Sequence, residues 1–261
     1  MQIIIPMSGI GKRFQDAGYK DIKPLIKIHG KPIIEWVVNL FPGDNEFIFI
    51  CREEHLEKTN LRNELNRIKP SGVIIPIASH KLGSVYAVSK VFDLIKDNEE
   101  IIINYCDFFQ IWDFNHFRKT VNEKKVAGAI PCYTGFHPHL LHPENVYASC
   151  KKNALSHLIE IREKYSFESD KTKTSHSGGT YYFSKGSYVK KYFIQLMDEK
   201  SDLNGEYYVS MVYNLLLRDG LNVLVYDKVE YFCQWGTPKD LTEYNTWMKI
   251  MEKYHEKGLL I

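Results

Sequence analysis

The sequence predicts an α/β protein with a doubly wound, mostly parallel, Rossmann-like sheet that carries an antiparallel extension. Three observations predict it. Four short, continuous apolar runs punctuate the first half, helically spaced segments separate them, and the alternation stops near Val126. The runs are Ile3–Ile5, Phe47–Cys51, Val73–Ile77 and Ile101–Tyr105. Unbroken β-branched stretches of this length suit strands buried on both faces, which is the habit of parallel sheets.

Each intervening segment reads as a helix. Pro32 stands at a first helical position before Ile33, Trp36, Val37 and Leu40. Glu53 to Ile68 places Leu56, Leu61, Leu65 and Ile68 on one face, and Ser84 to Ile95 repeats the pattern. Strand–helix–strand repetition at this spacing calls for right-handed crossovers between parallel strands. Beyond Val126, the runs 126–133, 146–150, 154–161 and 180–183 read as strands with no long helix between them, hence the antiparallel extension. Ser166–Ser177 is polar and reads as a mobile surface loop or a lid. Helical spacing returns at Tyr188–Met197 and Tyr207–Leu217, strands at Val223–Tyr226 and Tyr231–Gln234, and a closing amphipathic helix at Leu241–Tyr254. With no linker, repeat or low-complexity block, residues 1–261 read as one domain.

Composition narrows the function. The chain has 34 Lys+Arg against 32 Asp+Glu, a net charge of +2, so nucleic-acid and anionic-membrane binding are not indicated. No apolar run approaches the ~20 residues a membrane helix needs. Ile3-Ile4-Ile5 is too short for a signal-peptide core and lacks a basic stretch before it. The five scattered cysteines include no CxxC pair and read as reduced thiols of a cytoplasmic protein.

The strongest chemical signal follows the first strand: Met7-Ser8-Gly9-Ile10-Gly11-Lys12-Arg13-Phe14. Ligands of open α/β sheets bind at this end of a strand. Two glycines let backbone N–H groups approach an anion, and Lys12 and Arg13 bring positive charge. The loop is neither a dinucleotide fingerprint, because Phe14 takes the third glycine position, nor a P-loop. A tight turn bearing two solvated cations is the alternative. Lys23 precedes Pro24, which pushes its backbone toward an extended shape from which it can reach across a triphosphate. Asp107 emerges just past a buried strand at the binding end of the sheet, where a carboxylate can hold Mg²⁺. A helix N-cap or turn aspartate is its alternative, and Asp113 after Trp112 is the better N-cap.

Taken together and in order, these segments resemble the sugar-phosphate nucleotidyltransferase superfamily. The resemblance rests on Gly-x-Gly-x-Arg-Phe, Lys23-Pro24-Leu25, Gly30-Lys31-Pro32-Ile33-Ile34, Asn104-Tyr105-Cys106-Asp107 and Ile159–Lys164. It continues through Gly178–Phe183, Gly205-Glu206-Tyr207-Tyr208 and Trp235-Gly236-Thr237-Pro238. It implies transfer of a nucleoside monophosphate from an NTP to a phosphorylated acceptor, with release of pyrophosphate and with Mg²⁺ as cofactor. Arg13, Lys23 and Asp107 are then the catalytic candidates. Nucleotide contacts fall to Met7, Ser8, Gly9, Gly11, Lys12, Arg13, Lys23, Gly83 and Ser84, with Gly83 similar to the family's base-contacting glycine. Lys164, Gly179 and Glu206 are acceptor-side candidates. Asp107 is the metal residue, and Gln234 falls at the position where the family often keeps a second aspartate.

The same resemblance divides the chain into a nucleotide-binding half, 1–125, and an acceptor-binding half, 126–261. It is nearest in look to capsule-pathway cytidylyltransferases, including those that charge L-glutamine phosphate, which favours CTP. A sugar 1-phosphate with another NTP is the main competitor. A nucleotide-sugar-dependent glycosyltransferase is disfavoured by Asp107-Phe108-Phe109 in place of Asp-x-Asp, and an inactive binding module has only Gln234 in its favour. His137, His139 and His142 crowd together, but a loop shaping the acceptor pocket is the better reading than zinc. A homodimer through the antiparallel region fits this layout.

Overall fold

A computed structural model describes residues 1–259. In chain order the first half holds β1 (Gln2–Met7), α1 (Lys12–Asp16), β2 (Lys27–Ile28), β3 (Lys31–Pro32), α2 (Ile33–Val38), β4 (Glu46–Arg52), α3 (Glu53–Lys58), α4 (Leu61–Ile68), β5 (Val73–Ile77), α5 (Gly83–Ser89), β6 (Ile101–Asn104), β7 (Phe108–Ile111) and α6 (Phe114–Lys124). The second half holds β8 (Gly128–Tyr133), β9 (Ser149–Lys152), β10 (Leu158–Arg162), β11 (Ser175–Ser177), β12 (Thr180–Phe183), α7 (Gly186–Asp198), α8 (Val209–Arg218), β13 (Val223–Val229), β14 (Tyr231–Gln234) and α9 (Pro238–Glu256).

Ten strands form one sheet in the order β10-β9-β11-β8-β12-β6-β1-β4-β5, with β13 also on β8. Strands β6, β1, β4 and β5 are parallel neighbours, as the apolar runs predict. Their residues alternate between two cores. Ile3, Ile5, Phe47, Phe49 and Ile102 face one, while Ile4, Ile48, Ile50, Ile101 and Ile103 face the other. Period-two alternation of apolar residues on both faces is what commits these segments to a sheet covered by helices on each side. Helices α2, α4 and α6 cover the first face, and α5, α7 and α8 the second.

The extension is antiparallel where β12 meets β6 and β8, and where β11 joins β8 to β9. Strand β13, for which the sequence gives no orientation, runs parallel to β8. The stretch 53–68 is two helices, because Thr59 accepts the Leu61 N–H on its hydroxyl and interrupts the helical ladder. Strand β7 pairs with β14 as a separate two-stranded sheet beside the binding edge.

The stretch 166–177 is built into the fold, contrary to its reading as a mobile loop. Asp170 caps a short 3₁₀ turn, Ser166 bonds Thr174, and Thr174 through Ser177 are buried, the last three of them in the main sheet. Polar composition misled here because the Ser and Thr hydroxyls are satisfied locally. Lys171 Nζ donates to the carbonyls of His142 and Pro143, strapping this stretch to residues 135–147.

Asp113 is the N-cap of α6, its carboxylate accepting the His116 N–H at 2.9 Å. Asp113→Ala is expected to lower stability by about 1 kcal/mol, read as a lower urea midpoint with unchanged slope. An unchanged midpoint would remove the cap from the account.

Candidate active site

The site forms where β1 and β6 end side by side. Their parallel register, Gln2 beside Ile101 and Ile4 beside Ile103, brings the glycine loop and Asp107 to the same edge of the sheet. Met7 closes β1 and is buried, Ser8 is buried, and Gly9 opens to solvent. Gly11 takes φ +69°, the left-handed region a side chain avoids, and so lets the chain turn into α1. A Cβ on Gly9 or Gly11 would meet no atom within 4 Å, so the loop's backbone faces open space. Lys12 and Arg13 are exposed, and neither forms an ion pair among the described residues.

Lys23 Nζ stands 3.2 Å from Asp107 Oδ2, across 84 residues of sequence. Both side chains are partly exposed, at 21% and 32%. Lys23 is not extended, as its place before Pro24 suggested. The extended residue is Ile22, and Lys23 starts one 3₁₀ turn closed by Leu25 N–H to Ile22 O and Ile26 N–H to Lys23 O. Those two bonds outweigh the pre-proline bias, and the turn aims the ammonium at Asp107.

Tyr105 is the hub behind this pair. Its hydroxyl meets Ser84 Oγ at 2.9 Å and accepts the Val209 N–H at 3.4 Å, and its N–H donates to Gly179 O. Burial pushes its pKa up, keeping it neutral. Gly179, at φ +112°, lies so near the Tyr105 ring that a Cβ would come within 2.9 Å. Gly83, at φ +83°, presses on the Tyr207 backbone, where a Cβ would stand 2.6 Å from the carbonyl oxygen. Thus Gly83 and Ser84, from the first half, lock onto the segment holding Glu206. Ser84 does not cap α5, since its hydroxyl is engaged by Tyr105.

Lys164, Glu206 and Tyr208 form the second wall. Glu206 accepts the Tyr208 hydroxyl at 2.5 Å, and the Lys164 ammonium lies 5.6 Å from the Tyr208 ring centroid. Beside them Glu163 accepts from Ser210 Oγ, and burial raises its pKa. Sequence reading passed over Glu163 and Tyr105 as individuals, although each sits within a motif it quoted, whereas it offered Tyr208 beside Glu206 as a shaper of the acceptor pocket.

The donors present suit a hard cation that arrives with phosphates. Gln234 ends β14 opposite Phe108, one residue from Asp107, and its Oε1 is buried with no partner among the described residues. A Cβ on Gly236 would stand 3.5 Å from Asp107 Oδ2 and 4.0 Å from Asp240 Oδ2, so two carboxylates flank that glycine. Among the described residues no three His, Cys, Asp or Glu side chains gather as a metal cage. Mg²⁺ needs no such cage, because one or two carboxylates suffice when phosphates and waters complete its shell. Asp240 was missed by sequence reading. The Thr237-x-x-Asp240 capping box that positions it was there to be read.

The histidines are structural. His137 Nε2 accepts the Phe232 N–H at 3.1 Å, which leaves Nδ1–H to face Gly135 O. His139 Nε2 meets the Tyr133 hydroxyl at 2.8 Å, and His176 Nε2–H donates to Lys171 O. Tyr133 stacks on Phe232 at 4.6 Å in the midst of them. His137 and His176 have lowered pKa values because burial penalises the imidazolium. His139 falls to about 3 through burial and then its neighbours His137, His176, His142 and Lys171.

A histidine whose folded pKa lies below its unfolded value of about 6.5 binds its proton more readily when unfolded. Its stabilisation is complete above that value and is lost as pH falls toward the folded pKa. Stability is therefore expected to fall as pH drops from about 6.5 toward the His139 value of about 3, with His55 and His80 contributing in the same direction and Glu163 opposing. Urea unfolding of the wild type and of His139→Phe should show a shallower acid slope in the variant. Identical slopes would contradict this account.

A sequence model of the nucleotidyl transferase family matches residues 2–249. Among curated proteins, the bifunctional protein GlmU of Fervidobacterium nodosum is 26% identical over 235 residues, covering 88% of this chain and 47% of its own length. GlmU of Thermosipho africanus is 29% identical over 107 residues, or 41% of this chain and 22% of that protein. The chain thus spans less than half the length of these relatives. Among solved structures, a nucleoside-diphosphate-sugar pyrophosphorylase from Vibrio cholerae RC9 has a TM-score of 0.74 at 18% identity, covering 93% of this chain and 98% of that one. An inositol-1-phosphate CTP transferase from T. maritima has a TM-score of 0.71 at 16% identity, covering 96% of each chain. At such identities the structures establish a shared fold.

Proposed function

Because this chain belongs to the nucleotidyl transferase family, we propose that it transfers a cytidylyl group from CTP to a small phosphorylated acceptor and releases pyrophosphate. The observation that carries this reading is the Lys23–Asp107 pair at the mouth of the glycine loop. It offers, side by side, one cation suited to a triphosphate and one carboxylate suited to its metal. An acceptor phosphate oxygen attacks the α-phosphorus, a new P–O bond forms, and the bond to the β-phosphate breaks with its electrons leaving on pyrophosphate. The nucleophile is already anionic, so no activating base is required. The protein's task is to hold two anions together and to offset the charge that develops.

In this reading residues 1–125 hold the nucleotide and residues 126–261 the acceptor. The backbone N–H groups of Gly9 and Gly11 line the phosphates, with Lys12, Arg13 and Lys23 neutralising them. Met7, Ser8, Gly83 and Ser84 frame the base. Asp107, aided by Gln234, would hold Mg²⁺, which supplies electrostatic stabilisation of the phosphates when bound. Lys164 meets the acceptor phosphate, and Gly179 and Glu206 shape the pocket around it.

CTP is favoured by the motif resemblance to capsule-pathway cytidylyltransferases, and the inositol-1-phosphate CTP transferase shares the fold. That resemblance also puts forward L-glutamine phosphate as acceptor, with a role in making capsule precursors, ahead of a sugar 1-phosphate. The five free thiols accord with a reducing, cytoplasmic setting. No described helix is long and apolar enough to cross a membrane.

Four NTPs tested against a panel of phosphorylated acceptors, read by pyrophosphate release, would establish base and acceptor together. Release from no combination would overturn the reading. Asp107→Asn should cut turnover at least ~100-fold with circular dichroism unchanged, the scale on which a lost electrostatic stabiliser acts. Lys23→Ala should raise KM for the NTP and lower kcat together, and unaltered kinetics would reject its contact with the phosphates.

A further inference from the structure

Ser8 and His80 tie the two loops that frame the nucleotide, and their hydrogen-bond polarity is fixed. Ser8 Oγ lies 2.9 Å from His80 Nε2, and the Leu82 N–H points at His80 Nδ1 from 3.3 Å. A backbone N–H can only donate, so Nδ1 carries the lone pair and the neutral ring bears its hydrogen on Nε2. Neutrality is favoured by burial and by Lys90 and Arg52, which lower the ring's pKa. The ring is held by Tyr86, 4.8 Å away between centroids, and Tyr86 in turn lies under the Lys90 ammonium at 4.3 Å.

Nε2–H therefore donates to Ser8 Oγ. The Ser8 hydroxyl hydrogen then has no side-chain or backbone acceptor among the described residues, and with Ser8 only 4% exposed little bulk water can serve. Beside it Gly9 leaves open space. A buried hydroxyl hydrogen without an acceptor next to an open crevice selects a ligand that supplies one.

We propose that Ser8, oriented by His80, reads the nucleobase: it offers its hydrogen to a ring nitrogen and so favours cytosine, whose N3 accepts, over uracil and thymine, whose N3 bears hydrogen. Ser8 is the specificity-determining contact and His80 the positioning residue. This rests on the nucleotidyltransferase reading above, since that reading puts the base between these two loops. A pyrimidine with N3–H leaves the Ser8 hydrogen unpaired and is expected to bind about tenfold more weakly, one hydrogen bond's worth.

Calorimetric titration with CTP and with UTP, each with Mg²⁺ and without acceptor, tests it in the wild type, Ser8→Ala and His80→Glu. The wild type should prefer CTP about tenfold, and Ser8→Ala should bring the two affinities together. His80→Glu should reverse the preference, because a carboxylate takes the Ser8 hydrogen and leaves oxygen lone pairs to accept from N3–H. A wild type that prefers UTP, or a folded Ser8→Ala that keeps the full CTP preference, overturns the proposal. Pyrophosphate release is measured in parallel, so that the two readings fail separately. Absence of release with the affinity ratios moving as expected sinks the transferase reading and sustains the base reader; release with unmoved ratios does the opposite.

Discussion

One juxtaposition organises the molecule: the carboxyl ends of β1 and β6, adjacent and parallel in a sheet buried on both faces. The glycine loop, Lys23 and Asp107 come from three separate stretches, and none has a local reason to be near another. The Gln2–Ile101 and Ile4–Ile103 register brings them together. A one-residue slip would turn Ile101, Ile102 and Ile103 to the wrong cores, so apolar alternation, far from any phosphate, fixes where the carboxylate stands.

A second constraint holds the two halves of the site in one frame. Tyr105 touches Ser84, Val209 and Gly179, which lie in three stretches distant in sequence. Gly83 and Gly179 are glycines because backbone or ring occupies the space a Cβ would need, and because both have φ values that side chains avoid. The glycine with a resemblance to a base contact is therefore also a packing glycine. Its two roles are compatible, since close approach to Tyr207 is what sets the loop's height over the crevice.

Much of this was legible in sequence where a physical period or a special backbone demand existed. The four parallel strands show as unbroken apolar runs, and the glycine loop shows as a turn whose Gly11 takes a backbone conformation that side chains avoid. Where side chains satisfy themselves locally the sequence misleads. The stretch 166–177 looked mobile because it lacks aliphatic residues, yet its hydroxyls bond within it and Lys171 straps it down. Strand β7 went unread because Phe108–Ile111 follows the Asp107 turn so closely, and of α6 only the cap at Asp113 was read, because its apolar face is only Phe114, Phe117 and Val121. Tyr105 and Glu163 act through contacts across the fold, which no spacing in the chain encodes.

The composition of the metal-side donors has a consequence for how the site is assembled. A neutral amide at Gln234 and the carboxylate of Asp107 bring a single negative charge where two aspartates would bring two. Asp240 is committed to its cap, its Oδ2 accepting from Thr237 Oγ1 at 2.6 Å. Lys23 further offsets Asp107 at 3.2 Å. Protein charge alone would thus be a poor anchor for a divalent ion, whereas the triphosphate of the proposed reading would add the missing charge and offer Lys23 another anion to meet. In the proposed reading, the ion and the nucleotide would therefore bind together, with Lys23 able to meet the phosphates as Asp107 meets the ion.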